Sequence, residues 1–291
     1  VKPCAFDYHV PATLDEALSL LADLGPDAKP LAGGQSLIPA MNFRLAAPAV
    51  LVDLNRLSTL ATVAVDADRL HIGAMTRHRA VERDASVARE APLVAMTMPF
   101  IAHAAIRSRG TMGGSLAHAD PAAELPAVML ALNATFTVQG RAGTRVVDAA
   151  SFFTGLFSTA LEPGELLVRV SVPRRASRTA VAFDEVSRRH GDFALAGCAA
   201  QVAVDEAGVC TGVRVGLLGL ADRPVLAHQA ARRLVGQRLT ADALRDAAEA
   251  SAMHDIDPTS DIHASSRYRR HLAAVLIRRV LARACLSLEN A

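Results

Sequence analysis

Tryptophan is absent from this chain, and aromatic residues make up only 4% of its 291 residues, too few for a surface that binds nucleic acid by stacking bases on rings. An excess of charge of one sign is also missing. The 31 Lys and Arg against 29 Asp and Glu leave a formal net charge of +2, which gives no electrostatic footprint for nucleic acid. No apolar run reaches the roughly eighteen residues of a membrane span, and "VKPCAFDYHVPATLDEAL" has no basic segment leading into an apolar one, so neither a span nor an export signal is expected. The four cysteines, Cys4, Cys198, Cys210 and Cys285, are too scattered for a zinc ribbon or an iron–sulfur insertion. They are expected to be reduced, packing thiols of a cytoplasmic protein. Catalytic spacings are missing as well: there is no Gly-x-Ser-x-Gly, and the ten histidines form no sequence arrangement with a Ser or Cys nucleophile. Internal repeats and low-complexity tracts are absent too.

What is present suits a globular protein of two domains, or of one domain with an appended module: 51% hydrophobic and 21% charged residues over this length. Thr13-Leu14-Asp15-Glu16 is a capping box, followed by Leu14, Ala17, Leu18, Leu21 and Leu24 at helical spacing and a stop at Gly25-Pro26. Val50, Leu51 and Val52 read as a short buried strand, and "ATVAVD" and "RLHIGA" as two more around an Asp66-Ala67-Asp68 turn. Residues 91–107 are helical in composition with a break at Pro99, and a further helix is expected from near Pro121. "ATFTVQG" with "RVVDA" reads as a hairpin, "GELLVRVSVP" as a strand, and "RRASRT" as a linker. Beyond it, "VAFDEVS", "ALAGCAAQVAVDEAG" and "VCTGVRVGLLGL" predict an antiparallel sheet. Helices around 225–235, 240–253 and 265–286 then complete a β3α3 module over about 178–291.

Two glycine segments carry the chemistry. In "LAGGQSLIP", paired glycines permit positive φ and close approach, leaving successive N–H groups to face an anion, with Gln35 and Ser36 as added donors. The segment is neither a Gly-x-Gly-x-x-Gly fingerprint nor a P-loop, and alone it reads first as a plain turn. Thr111-Met112-Gly113-Gly114-Ser115 repeats its chemistry some eighty positions on. Two such segments, each beside a helix, could clasp the two phosphates of a dinucleotide. After the second, His118, Asp120 and Glu124 offer metal-ligand types without a ligand spacing. Asp120 ahead of Pro121 is better read as a helix cap, and Glu124 as facing the helix dipole or accepting from a ribose hydroxyl. The basic cluster "SSRYRRHL" reads as a solvated helix face or a subunit contact.

Together, "LAGGQSLIPAMNFRLAAP" and "AIRSRGTMGGSLAHADPAAELPA" closely resemble the medium, FAD-binding subunit of the molybdenum hydroxylases, the xanthine dehydrogenase and aerobic carbon monoxide dehydrogenase family. The likeness runs over nearly the whole chain. It implies an α+β protein: a vanillyl-alcohol-oxidase-type (PCMH-type) FAD-binding domain of two α/β subdomains, at 1–60 and 61–177, then a C-terminal β3α3 flavoprotein domain at 178–291. It implies an FAD pyrophosphate wrapped by Ala32, Gly33, Gly34, Gln35 and Ser36 and by Thr111, Gly113, Gly114 and Ser115, with Leu37 and Ile106 also binding the cofactor. It also places His118 in the flavin-proximal turn, Glu124 on the ribose or adenosine side and Leu167 against the adenine. "SRRHGDFALAG" resembles the segment covering the isoalloxazine ring, where Phe193 stands in place of the Tyr of many relatives. Asp184 stands where some relatives have a Lys that contacts the cofactor.

The same resemblance implies no catalytic acid or base and no metal in this chain. It implies partners instead: a large subunit with the molybdenum cofactor and a small subunit with two [2Fe–2S] clusters, assembled as a dimer of heterotrimers. The organic or gaseous substrate is then oxidised elsewhere, carbon monoxide or a heterocycle among the choices, and electrons pass through FAD to NAD, a quinone or oxygen. A self-sufficient flavin oxidase and a non-redox nucleotide-binding scaffold are the competing readings.

Overall fold

The computed structural model describes residues 2–289, whose strands fall into three main sheets and one small hairpin. The first stretch runs β1 (Asp7–His9), α1 (Leu14–Leu24), β2 (Ala28–Leu31), α2 (Leu37–Asn42) and β3 (Val50–Asp53). Its sheet has the order β1-β3-β2, with both outer strands parallel to β3. All four β3 residues are buried, as a central parallel strand requires, and Ala17, Leu18 and Leu21 of α1 pack with Val50 and Val52. The Thr13 hydroxyl accepts from the Glu16 amide at 3.2 Å. The Glu16 carboxylate returns one residue further than a capping box specifies, to the Ala12 amide at 2.7 Å.

The second stretch begins with β4 (Val63–Val65) and β5 (Arg69–Gly73) and continues through six short helices: α3 (His78–Arg83), α4 (Ala85–Glu90), α5 (Pro92–Thr97), α6 (Ala104–Arg107), α7 (Met112–His118) and α8 (Glu124–Ala131). It closes with β6 (Thr135–Gly140), β7 (Gly143–Asp148), α9 (Ala149–Phe152), the hairpin β8 (Phe153–Gly155) and β9 (Ser158–Thr159), and β10 (Leu166–Pro173). The sheet order is β4-β5-β10-β6-β7, so β10 joins the predicted hairpin of β6 and β7 to the pair of strands around the Asp66-Ala67-Asp68 turn. A register shift at Leu167/Arg169 lets β10 serve two cores. Leu166 and Val168 share a core with α1 and β3, while Leu167, Val170 and Val172 belong to the core that also holds α5, α7 and α8. Pro99 breaks the helical run as expected: a 3₁₀ turn, Met98–Phe100, follows α5, and Ala102 turns the chain at φ +45°.

The C-terminal module holds β11 (Thr179–Ser187), β12 (Ala194–Val204), β13 (Cys210–Leu218) and β14 (Val225–Leu226), antiparallel in that order, then α10 (His228–Leu234), α11 (Ala241–His254) and α12 (Ser266–Glu289). The sheet thus has a fourth strand where a helix was expected to begin. Val225 and Leu226 pair with Leu217 and Gly216, and the helix waits until His228. The "RRASRT" linker is tethered, since Arg174 donates to Glu90 at 2.8 Å and the Arg175 amide to the Glu90 carbonyl at 2.9 Å. Nor is the "SSRYRRHL" cluster simply a solvated face. Arg269 is buried and donates to the Leu195 and Gly219 carbonyls and to Asp261, while Arg270 donates to the Ala252 carbonyl near the end of α11.

Small residues let the module dock on α8. A Cβ at Gly216 would lie 2.0 Å from the Ala127 carbonyl oxygen, so only glycine permits this approach. Arg214 donates to the Leu130 carbonyl at 2.9 and 3.1 Å, satisfying one of the open acceptors at the end of α8.

Candidate cofactor site

The two glycine segments meet although β3, β4, β5 and the four helices α3 to α6 separate them in sequence. A Cβ at Gly33 would sit 2.4 Å from the Arg109 carbonyl oxygen, and one at Gly114 would sit 3.6 Å from the Ala32 Cβ. Gly34 takes φ +71°, a conformation that glycine adopts without strain. The two segments differ in what they can offer. Among the described residues, the amides of Gly33, Gly34, Gln35 and Ser36 donate to no protein acceptor, a run of free N–H groups suited to an anion. In the second segment the amides are spent internally: Met112 on Thr76, Gly113 on Ala74 at 2.8 Å, Gly114 on the Thr111 hydroxyl and Ser115 on the Thr111 carbonyl. It is no open loop but the first turn of α7, with Thr111 as N-cap. Its glycines provide clearance, since a Cβ at Gly113 would meet the Ala74 Cβ at 2.5 Å.

A cavity of about 460 Å³ opens at the first segment, lined there by Ala32, Gly33, Gly34 and Gln35. Tyr8, Asp53, Asn55 and Arg109 also line it, none of them singled out from sequence. Arg109 immediately precedes Gly110 and the second segment, and that placement was the available signal. Gln35 folds back to donate to the Gly33 carbonyl at 3.0 Å, so its amide holds the turn. Ser36 is exposed and Leu37 and Ser115 half-buried. Ile106, also half-buried, accepts on its carbonyl from the Arg109 and Gly110 amides, at 3.0 and 2.7 Å.

His118, at the far end of α7, stacks at a tilt on Phe157, with ring centroids 5.1 Å apart. Asp120 does not cap α8. Its carboxylate accepts from the Ala122 amide at 2.9 Å in a separate turn, because Ala119 has already turned the chain at φ +52°, and α8 begins later, at Glu124. No metal-competent cluster of three His, Cys, Asp or Glu groups occurs among the described residues. Burial pushes the Glu124 carboxyl up to about 7, with the nearby Asp120 charge adding to it. A carboxyl near that value can donate to a hydroxyl as well as accept from one.

Leu167 is a buried core residue of the second sheet. Asp184 lies on the far face of β11. It accepts from Arg279 at 3.1 Å and contacts Arg283 at 3.2 Å, both on α12, so the strand carries it away from the cleft. Its neighbour Glu185 takes the opposite face by the two-residue alternation of a strand, the same face as Phe183, whose ring meets Phe100 edge-on at 4.9 Å. Burial, then the charges of Glu124 and Asp184, push Glu185 up to about 8, and its Oε2 is buried without a partner. Phe193 is 70% exposed, on the loop between β11 and β12.

Free amides at a cavity, backed by a basic side chain and docked to a second α/β module, define a protein with an anion-binding cleft. The comparisons agree over the whole length. "FAD binding domain in molybdopterin dehydrogenase" matches residues 4–175, and "CO dehydrogenase flavoprotein C-terminal domain" matches 181–284. The 6-hydroxypseudooxynicotine dehydrogenase complex subunit alpha of Paenarthrobacter nicotinovorans is 42% identical, covering 98% of this chain and 96% of that one. The carbon monoxide dehydrogenase medium chain of Afipia carboxidovorans is 38% identical, covering 99% of both. A solved carbon monoxide dehydrogenase from Hydrogenophaga pseudoflava superposes with a TM-score of 0.96 at 35% identity, covering 99% of each chain. This chain belongs to the FAD-binding medium subunits of the molybdenum hydroxylase family and is an oxidoreductase component. No described helix is long and apolar enough to cross a membrane.

Proposed function

We propose that this chain carries FAD between the iron–sulfur clusters of a small subunit and an external acceptor, in a complex whose molybdenum-bearing large subunit oxidises the substrate. The run of unbonded amides from Gly33 to Ser36, the first three of them on residues that line the 460 Å³ cavity, carries this reading, because it answers the negative charge of a pyrophosphate. When bound, the flavin accepts electrons singly and releases them in pairs. The protein's part is to hold and shield it. Gly33 to Ser36 donate to the phosphates, Arg109 adds charge, Thr111 and Ser115 flank them, and Glu124 receives a ribose hydroxyl.

The exposed Phe193 covers one face of the ring and limits the access of oxygen. Phe193→Ala is expected to speed oxidation of the reduced subunit by oxygen severalfold, and unchanged oxidation would remove that role. The substrate class, carbon monoxide or a heterocycle, belongs to the large subunit, and NAD, a quinone or oxygen is the acceptor. The assembly is a dimer of heterotrimers in the cytoplasm, a location that agrees with the reduced thiols of Cys4, Cys198 and Cys210. The divisions at 1–60, 61–177 and 178–291 are part of the same reading, supported by the change of sheet at each.

Purification from the native host tests the proposal. One FAD per chain is expected, with molybdenum and iron co-eluting in two companion chains. FAD without either metal, together with turnover by the isolated chain, would favour the self-sufficient oxidase. A colourless chain would favour the scaffold.

A further inference from the structure

Between the two glycine segments, and belonging to neither, lie Asn55, just past β3 and at the edge of the cavity, and Arg77, just ahead of α3. The Asn55 Nδ2 donates to the Ala32 carbonyl at 3.0 Å, and its Oδ1 accepts from Arg77 Nη2. The other Arg77 nitrogen, Nη1, donates to the Arg109 carbonyl. Ala32 opens the first segment and Arg109 lies two residues ahead of Thr111. One amide and one guanidinium therefore join the segments by a continuous chain of hydrogen bonds.

The far end of the chain is anchored. The Asn55 amide donates to Asp53 Oδ1 at 2.8 Å, Nδ2 donates to the same oxygen, and the Tyr8 hydroxyl donates to Oδ2. Burial works against the Asp53 charge, but the bonds from Tyr8 and Asn55 and the nearby Arg77 outweigh it and hold the carboxyl below the usual range. The anchor therefore stays an acceptor at neutral pH.

Both carbonyls held by this chain matter to the cleft. In a trans peptide the C=O and the following N–H point in opposite directions, so holding the Ala32 carbonyl back on Asn55 turns the Gly33 N–H away from it. The Arg109 carbonyl is the atom against which Gly33 packs, 2.4 Å from where a Cβ would stand. Arg77 thus fixes the wall, and Asn55 fixes the segment resting on it.

We propose that Asn55 and Arg77 are positioning residues for the cofactor, a strut that sets the spacing of the two glycine segments and aims the Gly33 amide at the FAD pyrophosphate. The inference rests on the reading of this cleft as the FAD site.

The test uses the full-length chain loaded with FAD and the variants Asn55→Ala, Arg77→Met, the double variant and Arg77→Lys. Three quantities are read: the FAD release rate by flavin fluorescence, the ³¹P resonances of the bound pyrophosphate, and the melting temperature of the cofactor-free protein. Each single loss is expected to speed release about tenfold, the effect of one or two charge-assisted hydrogen bonds. The double variant should go little beyond the larger single one, because both remove the same strut. Arg77→Lys, which reaches one acceptor of two, should fall between. At least one ³¹P resonance should shift toward free FAD, while the cofactor-free protein melts within about 2 °C of the parent.

Release at the parent rate with unmoved ³¹P resonances would overturn the strut, as would strict additivity in the double variant. So would a cofactor-free melting temperature that falls as far as the loaded one. A parent chain that binds no FAD would overturn the reading of the cleft itself, whereas a parent that binds FAD beside variants that bind it equally well would overturn the strut alone.

Discussion

Gly33 leaves its own replacement nowhere to go, since the atom a Cβ would strike is the backbone oxygen of Arg109, which no rotamer can move. Gly33→Ala must push the segments apart, at a strain of roughly 1–3 kcal/mol, and the free amides of residues 33–36 then lose their common focus. The expected outcome is a folded chain with most of its flavin lost, read as the ratio of absorbance at the flavin band to that of the protein. The glycines of the second segment would tell a different story. Gly113 faces Ala74 and its amide is already bonded, so its size matters to packing rather than to an anion. The sequence shows two look-alike Gly-Gly motifs. Which of them keeps its amides free depends on Thr76, Ala74 and Thr111 as acceptors, and no local pattern announces that.

At the scale of elements, much was legible. The Thr13 and Thr240 caps, the break at Pro99, the hairpin of β6 and β7 and the three long strands of the C-terminal sheet all follow from turn residues and alternation. The failures share one cause. The paired glycines place residues 112–115 beside a helix in the sequence, but Thr111 caps them as its first turn and the contact with Ala74 admits nothing larger. Residues 225–226 were read as helix, but β13 offers an open edge that captures them as a strand. The side chain of Asp184 belongs to the same scale: it ties β11 to α12 through Arg279 and Arg283. Asp184→Asn is therefore expected to lower stability by about 1 kcal/mol, since both arginines are half-exposed, and to leave FAD content unchanged. A denaturation curve and a flavin assay on the same sample check both, and loss of flavin would put Asp184 back at the cofactor.

For the whole molecule, buried ionisable groups gathered between the domains and behind the cleft set a pH dependence. Glu124 and Glu185 keep their protons in the fold up to about 7 and about 8, whereas in the unfolded chain each ionises near 4.5. The native state therefore holds more protons between those values, and stability is lost as pH rises from about 4.5 through 8. For Glu124 taken alone the loss is at most roughly 3 kcal/mol. His78 works the other way: burial, with Arg107 and Arg77 nearby, pushes it down to about 4, so its share is lost as pH falls from about 6.5 toward 4. Cofactor-free protein should melt lower at pH 8.5 than at pH 6, and Glu185→Gln should shrink that difference. An equal difference in the variant would mean that Glu185 does not hold its proton in the fold.

The sequence by itself determined the family and, with it, the cofactor: two glycine segments some eighty residues apart, between recognisable caps and strands, are enough for that. It also determined that Asp184 and Glu185 point to opposite sides of a strand, because alternation is a local property of extended backbone. Only the tertiary structure decided which side faces the flavin domain and which faces α12, which amides of the glycine segments remain free, and that Asn55 and Arg77 stand between them. Those outcomes rest on contacts between distant segments, such as Gly33 on Arg109 and Gly216 on Ala127. Their energies come from clearances and hydrogen-bond partners that exist only after the domains have docked.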